Sequence, residues 1–287
     1  MDKSRDLVNV TDLAALLDQG LCRPVDCRFD LFDVTRGRKD YDSAHIPGAV
    51  YADMDRDLAS EISALSGRHP LPDPGEFRRR LESWGISDDT EVVAYDYGNG
   101  SLAARLWWML KEWLGHERVS VLDGGFAAWS AAGLALGRDG PHPKPGLFTR
   151  EPDSGVIATT DEILRLVQAG TNFLIVDARD PARFRGEVEP IDTVAGHIPG
   201  ALNLPLGGNL GEDGTWRRPS ELAERWRGLP VPTGPEAPIV MCGSGVTACH
   251  LALAARLAGL PTPRLYVGSW SEWIRDPARP VATGSSP

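Results

Sequence analysis

His45-Ile46-Pro47-Gly48-Ala49 returns unchanged as His197-Ile198-Pro199-Gly200-Ala201, and this repetition decides the fold. Outward from it, Val25-Asp26-Cys27-Arg28 is matched by Val176-Asp177-Ala178-Arg179 at nearly the same offset. Val92-Val93-Ala94-Tyr95-Asp96 corresponds to Pro238-Ile239-Val240-Met241-Cys242. Gly124-Gly125-Phe126-Ala127-Ala128-Trp129 corresponds to Gly268-Ser269-Trp270-Ser271-Glu272-Trp273. Matched blocks in one order are the mark of a tandem duplication. A length of 287 residues suits two domains of ordinary size.

Each copy alternates helix and strand. Thr11 is expected to cap an amphipathic stretch over 12–19, closed by Gly20. Asp73-Pro74-Gly75-Glu76 opens a helix with a cap, a first-turn proline and a glutamate three residues after the cap. Strands are expected at 25–27, 91–95 and 119–122, and a long helix over 102–114 before Gly115. The second copy repeats this, with a helix from Thr160, strands at 173–177, 238–241 and 265–267, and a helix over 220–226. Short apolar strands alternating with helices predict an α/β fold, each copy a mainly parallel sheet with helices on both faces. Residues 137–146 hold three prolines and three glycines, which cannot continue a helix. The expected division is a first domain over 1–136, a Pro/Gly-rich linker over 137–156 and a second domain over 157–287, with a frayed tail from Ala282.

Composition excludes several classes. The formal charge of −10 argues against nucleic acid or anionic membrane as a partner. No apolar run approaches the ~18 residues that span a bilayer. The opening Met1-Asp2-Lys3-Ser4-Arg5-Asp6 is not followed by an apolar signal core. Cys22, Cys27, Cys242 and Cys249 form no zinc-binding spacing, and the histidines include no His-x-x-x-His, so no metal site is expected. Free thiols without an export signal fit a cytoplasmic location.

The chemistry gathers at Cys242-Gly243-Ser244-Gly245-Val246-Thr247, between the apolar run 239–241 and an apolar helical run over 248–257. A strand end, a tight glycine loop and a helix start place inward-turned N–H groups and a helix dipole around one sulfur. Both favour thiolate, the nucleophilic form. Active residues belong at the carboxyl ends of such strands.

The hexapeptide, continuing through Ala248-Cys249-His250, resembles the active-site loop of the rhodanese superfamily, in the form typical of 3-mercaptopyruvate sulfurtransferases. Thiosulfate-preferring members of that superfamily usually carry basic residues where Gly243 and Ser244 stand. The resemblance covers about residues 8–280. It implies two tandem rhodanese-like domains, the first inactive because Asp96 stands in place of the cysteine. The activity implied is transfer of sulfane sulfur from 3-mercaptopyruvate or thiosulfate, through a Cys242 persulfide, to a thiol, cyanide or thioredoxin-like acceptor. No cofactor is needed.

The resemblance also implies a His–Asp–Ser proton relay with Ser244 as its loop member. His45 is the candidate histidine and Asp33 a candidate orienting carboxylate, although the twin His197 favours a structural role for the turn. Residues 243–247 are expected to bind substrate. So is Arg183, an arginine unmatched in the first copy whose planar guanidinium can grip a carboxylate or sulfonate. Arg179 is paired with Arg28 and reads as structural. Relatives of the mercaptopyruvate type carry a second arginine where this chain has Asp192, and often an aspartate where it has Val267. Cys249 is expected to be packed rather than a resolving thiol. Two rival readings are a non-catalytic persulfide carrier or docking module, and a phosphatase or arsenate reductase. The latter's loop has a cysteine, five residues and then an arginine, and neither Thr247, five residues after Cys242, nor Ala248, six after, is arginine.

Overall fold

The structure, a computed structural model, describes residues 6–170, 174–229 and 237–285. The chain divides into two compact units. Unit 1 is built from the residues up to Ser60, Leu71–Asp153 and Glu212–Trp216; unit 2 from Glu61–Pro70, Ser154–Gly211 and the residues from Arg217 onward. Each copy of the duplication therefore gives one short segment to the other copy's unit.

Unit 1 holds a parallel sheet in the order β1-β5-β4-β2-β3, from β1 (Leu7–Val8), β2 (Cys22–Asp26), β3 (Val50–Tyr51), β4 (Glu91–Tyr95) and β5 (Val119–Leu122). The helices are α1 (Val10–Asp18), α2 (Arg36–Ser43), α3 (Pro74–Ser83), α4 (Ala103–Trp108) and α5 (Gly125–Ala131). The last turns after α4, Met109–Trp113, widen to π geometry. Asn9, not Thr11, caps α1, accepting from the Asp12 N–H. Asp73 caps α3 as its sequence predicts.

Unit 2 repeats the sheet as β6-β10-β9-β7-β8, from β6 (Ile157–Ala158), β7 (Ile175–Asp177), β8 (Leu202–Asn203), β9 (Ile239–Met241) and β10 (Arg264–Tyr266). Its helices are α6 (Thr160–Ala169), α7 (Pro181–Phe184), α8 (Pro219–Arg227), α9 (Ala248–Leu257) and α10 (Ser269–Trp273). Phe173, expected to open the strand at 173–177, lies outside the described residues. Ile239 and Met241 enter a core with Ile163, Ile175, Phe184, Tyr266, Trp270 and Trp273. Strand β9 is central, flanked by β10 and β7, so the residue after Met241 emerges at the middle of the sheet's carboxyl edge.

The Pro/Gly-rich strap differs from the linker expected over 137–156. Its residues through Asp153 belong to unit 1, because backbone bonds fix them there: Gly137 exchanges two with His45, Gly146 N–H donates to Glu82, and Asp153 N–H donates to Trp113. The tail expected to fray from Ala282 is tied within unit 2, where Ala282 exchanges two backbone bonds with His197 and Gly284 N–H donates to the Arg185 carbonyl.

Candidate functional site

Cys242 follows β9 and is 1% exposed. Its loop is fixed to α10: Cys242 N–H donates to Ser269 Oγ at 3.1 Å, and its carbonyl accepts from Trp270 at 3.0 Å. The next carbonyl, Gly243, accepts from Ser271 N–H at 2.9 Å. Gly245 sits at φ +76°, and a Cβ there would collide with the Val267 carbonyl. That left-handed turn swings the Gly245 N–H back onto the sulfur, where it donates to Cys242 Sγ at 3.1 Å. Helix α9 opens directly behind the loop, Thr247 standing at its start with no side-chain cap bond. Cys249 is fully buried and donates from Sγ to the Gly245 carbonyl at 3.4 Å.

Ser244 is also buried, and its Oγ lies 2.8 Å from His69 Nδ1. His69 comes from Glu61–Pro70, the segment that the first copy contributes to unit 2. His45, the histidine expected for this role, is placed otherwise. Its ring is fully buried in unit 1, stacked on Tyr41 at 4.1 Å, with Nδ1 2.8 Å from the Tyr41 carbonyl. Its twin His197 stacks on Phe184 at 3.8 Å with Nδ1 on that residue's carbonyl, so the histidine belongs to the turn. Asp33 closes an exposed turn onto Thr35 and orients neither ring.

Arg183, in α7, makes three bonds of 2.6–3.2 Å to Glu189 and one of 3.2 Å from Nη2 to Asp192 Oδ2. Asp192 also pairs with Arg68 Nη1. Burial alone would raise Glu189, but the Arg183 guanidinium and the N–H groups of Ile191 and Asp192 hold it below the usual carboxylate range. Burial lifts Asp192 above its usual range against the pull of Arg68 and Arg183, with the Glu189 charge adding to the rise. Arg179 is different in kind. It is clamped to Asp177 at 2.7 Å, donates to the Gly196 carbonyl and lies over Trp270, as Arg28 is clamped to Asp26 and lies over Phe126. Sequence reasoning missed Arg68 and His69. Nothing in the sequence near Arg68-His69-Pro70 marks them, since the second copy also carries basic residues, Arg217-Arg218, directly before α8.

In unit 1 the residue at the equivalent strand end is Asp96, buried, whose carboxylate accepts the N–H groups of Gly98, Gly100, Leu102 and Ala103 at 2.9–3.3 Å. In unit 1 a fixed anion thus takes the loop N–H groups, where in unit 2 the Gly245 N–H meets a sulfur.

The rhodanese-like domain family matches residues 9–132 and 159–276. The chain belongs to the rhodanese-like family. It is 49% identical to a probable 3-mercaptopyruvate sulfurtransferase of Pseudomonas aeruginosa over 98% of this chain and 99% of that one. It is 36% identical to a thiosulfate sulfurtransferase of Cricetulus griseus over 98% and 97%. Among solved structures, the 3-mercaptopyruvate sulfotransferase SseA from Escherichia coli superposes with a TM-score of 0.81 at 33% identity, covering 93% of this chain and 99% of that one. The rhodanese-like pair of domains accounts for both sheets. Among the described residues, no helix is long and apolar enough to cross a membrane, and no cluster of His, Cys, Asp or Glu is arranged to hold a metal.

Proposed function

We propose that this chain is a sulfurtransferase that moves sulfane sulfur through a persulfide on Cys242, with 3-mercaptopyruvate as the favoured donor and thiosulfate as a second. The observation that carries the reading is the Gly245 N–H aimed at Cys242 Sγ, 3.1 Å away, in a glycine loop at the carboxyl end of the central strand. That donor can hydrogen-bond the sulfur during attack and the persulfide that follows.

The reaction is a double displacement. The Cys242 thiolate attacks the donor's outer sulfur and an S–S bond forms. With 3-mercaptopyruvate the carbon–sulfur bond breaks, its electron pair passes to carbon, and the thiol proton ends on that carbon to give pyruvate. With thiosulfate the donor's S–S bond breaks, sulfite leaves with the pair, and no proton moves. A thiolate or cyanide then takes the outer sulfur and the Cys242 thiolate returns. His69 and Ser244, in hydrogen-bond contact, supply groups able to pass the proton that only the first donor requires. Asp96 cannot carry a transferable sulfur, so unit 1 is the non-catalytic copy.

The test is intact mass. Incubation with either donor should add one sulfur, removed again by cyanide, and Cys242→Ser should gain none. No gain in the wild-type protein with either donor would leave the carrier or docking reading in its place.

A further inference from the structure

The sequence offers one residue, Arg183, for the donor's negative charge, and Asp192 stands where relatives of the mercaptopyruvate type carry a second arginine. The surroundings of Gly243 resolve this. A Cβ placed on Gly243 would lie 2.8 Å from Arg68 Nη2, and 3.6 and 3.8 Å from Arg183 Nη2 and Nη1. Two guanidiniums therefore converge on the same face of the residue that follows the nucleophile. They fill the space that a side chain at position 243 would take.

We infer that Arg68 is the second anion-binding residue of the site, and that Asp192 is its holder rather than a group that repels the donor. This rests on the sulfurtransferase reading and names how that site takes its anionic donor.

Arg68 is held at both ends. Its backbone N–H donates to Ser271 Oγ at 3.0 Å, and the Ser271 N–H donates to the Gly243 carbonyl, so one serine ties Arg68 to the cysteine loop. The segment is pinned again where Arg275 Nε donates to the Ser66 carbonyl at 3.2 Å. At the far end Nη1 pairs with Asp192, whose other oxygen takes Arg183 Nη2 at 3.2 Å. One carboxylate thus brackets two like charges that would otherwise repel. Arg68 Nε is buried without a partner, and the Nη2 edge faces Gly243. A guanidinium fixed beforehand loses little freedom when it takes a carboxylate or thiosulfonate. The pattern also accounts for Gly243: the positive charge that a basic residue would bring from the loop arrives from Glu61–Pro70 and α7, and only glycine leaves room for it.

The test is steady-state and single-turnover kinetics with 3-mercaptopyruvate. Arg68→Ala is expected to raise KM about tenfold or more while kcat, and the sulfur gained by Cys242 at saturating donor, stay within threefold. Arg68→Lys should recover part of the loss. Because Arg68→Ala leaves the buried Asp192 carboxylate with only one of its two guanidiniums, Arg68→Gln combined with Asp192→Asn supplies an uncharged version of the pair. A KM raised at least fivefold in that double variant supports the assignment. A wild-type KM there shows that Arg68 serves only as the counter-ion of Asp192, and overturns it. Failure of the wild-type protein to take up sulfur from either donor would overturn the sulfurtransferase reading and this inference with it. Uptake with unchanged KM in all the Arg68 variants would overturn this inference alone.

Discussion

His69 Nδ1 lies 2.8 Å from Ser244 Oγ, although the two residues are 175 positions apart in the chain. The consequence is a split between donors. Transfer from 3-mercaptopyruvate moves a proton from sulfur to carbon, and transfer from thiosulfate moves none. His69→Ala and Ser244→Ala should therefore each lower kcat with 3-mercaptopyruvate by about 10²-fold, the lower end of what a positioned acid–base group contributes. With thiosulfate both should stay within about threefold. Parallel rate measurements check this, and equal losses with both donors would mean that the pair only shapes the loop.

The nest in unit 1 gives a second prediction. Asp96 accepts four backbone N–H groups from the loop that follows it. Asp96→Ala strands these donors and should destabilise unit 1 by about 2–4 kcal/mol, read from urea unfolding. Sulfur uptake by Cys242 in the folded fraction should be unchanged. A loss of turnover matching Cys242→Ser would assign chemistry to the first copy.

Much of the fold was legible in the sequence, for reasons visible in particular elements. Strand β4 carries a buried run, and α3 has both its cap and its first-turn proline, so local chemistry marks each. Strands β1, β3, β6 and β8 are two residues long and leave no periodic trace. Helix α2, Arg-Gly-Arg-Lys-Asp-Tyr-Asp-Ser, offers one large apolar residue, Tyr41, and so no stripe to recognise. At the site, Cys242 and Arg183 stood out because loop chemistry and an unmatched arginine are local features. Arg68 and His69 did not. They join unit 2 by an exchange of segments between the copies, and nothing within a few residues of them records that destination. His45 drew attention through its motif, yet the motif encodes a turn in which the ring packs on Tyr41.

Gly245 supplies a third prediction. Its φ of +76° alone costs a residue with a side chain about 1–2 kcal/mol, and the added Cβ meets the Val267 carbonyl. Gly245→Ala should turn its N–H away from Cys242 Sγ and lower persulfide formation by more than about tenfold, the effect of losing a charge-assisted donor. The mass increment after donor treatment measures it. Near-normal loading in this variant would show that the Gly245 N–H does not govern the sulfur.

The fourth prediction concerns pH. Glu189 is nearly buried, bonded three times to Arg183 and 3.5 Å from Arg179 Nη1. Burial would raise its carboxyl, but Arg183 and the N–H groups of Asp192 and Ile191 outweigh that and hold it below the ordinary value of 4.5. A depressed native value means that the stabilisation is complete above the ordinary value and is lost as pH falls below it through the native one. Glu189→Gln should therefore unfold more easily than the wild type at pH 7, by about 3 kcal/mol for a broken buried pair. The gap should narrow steadily below pH 4.5. Asp192 runs the other way: its value is raised, so its ionisation weakens the fold as pH rises, and removing the Glu189 charge relieves part of that cost. The gap at pH 7 should consequently widen when Asp192→Asn is introduced into both proteins, because that relief is then absent; an unchanged gap would show that the two acids do not repel measurably, and urea midpoints across pH 3–8 measure both.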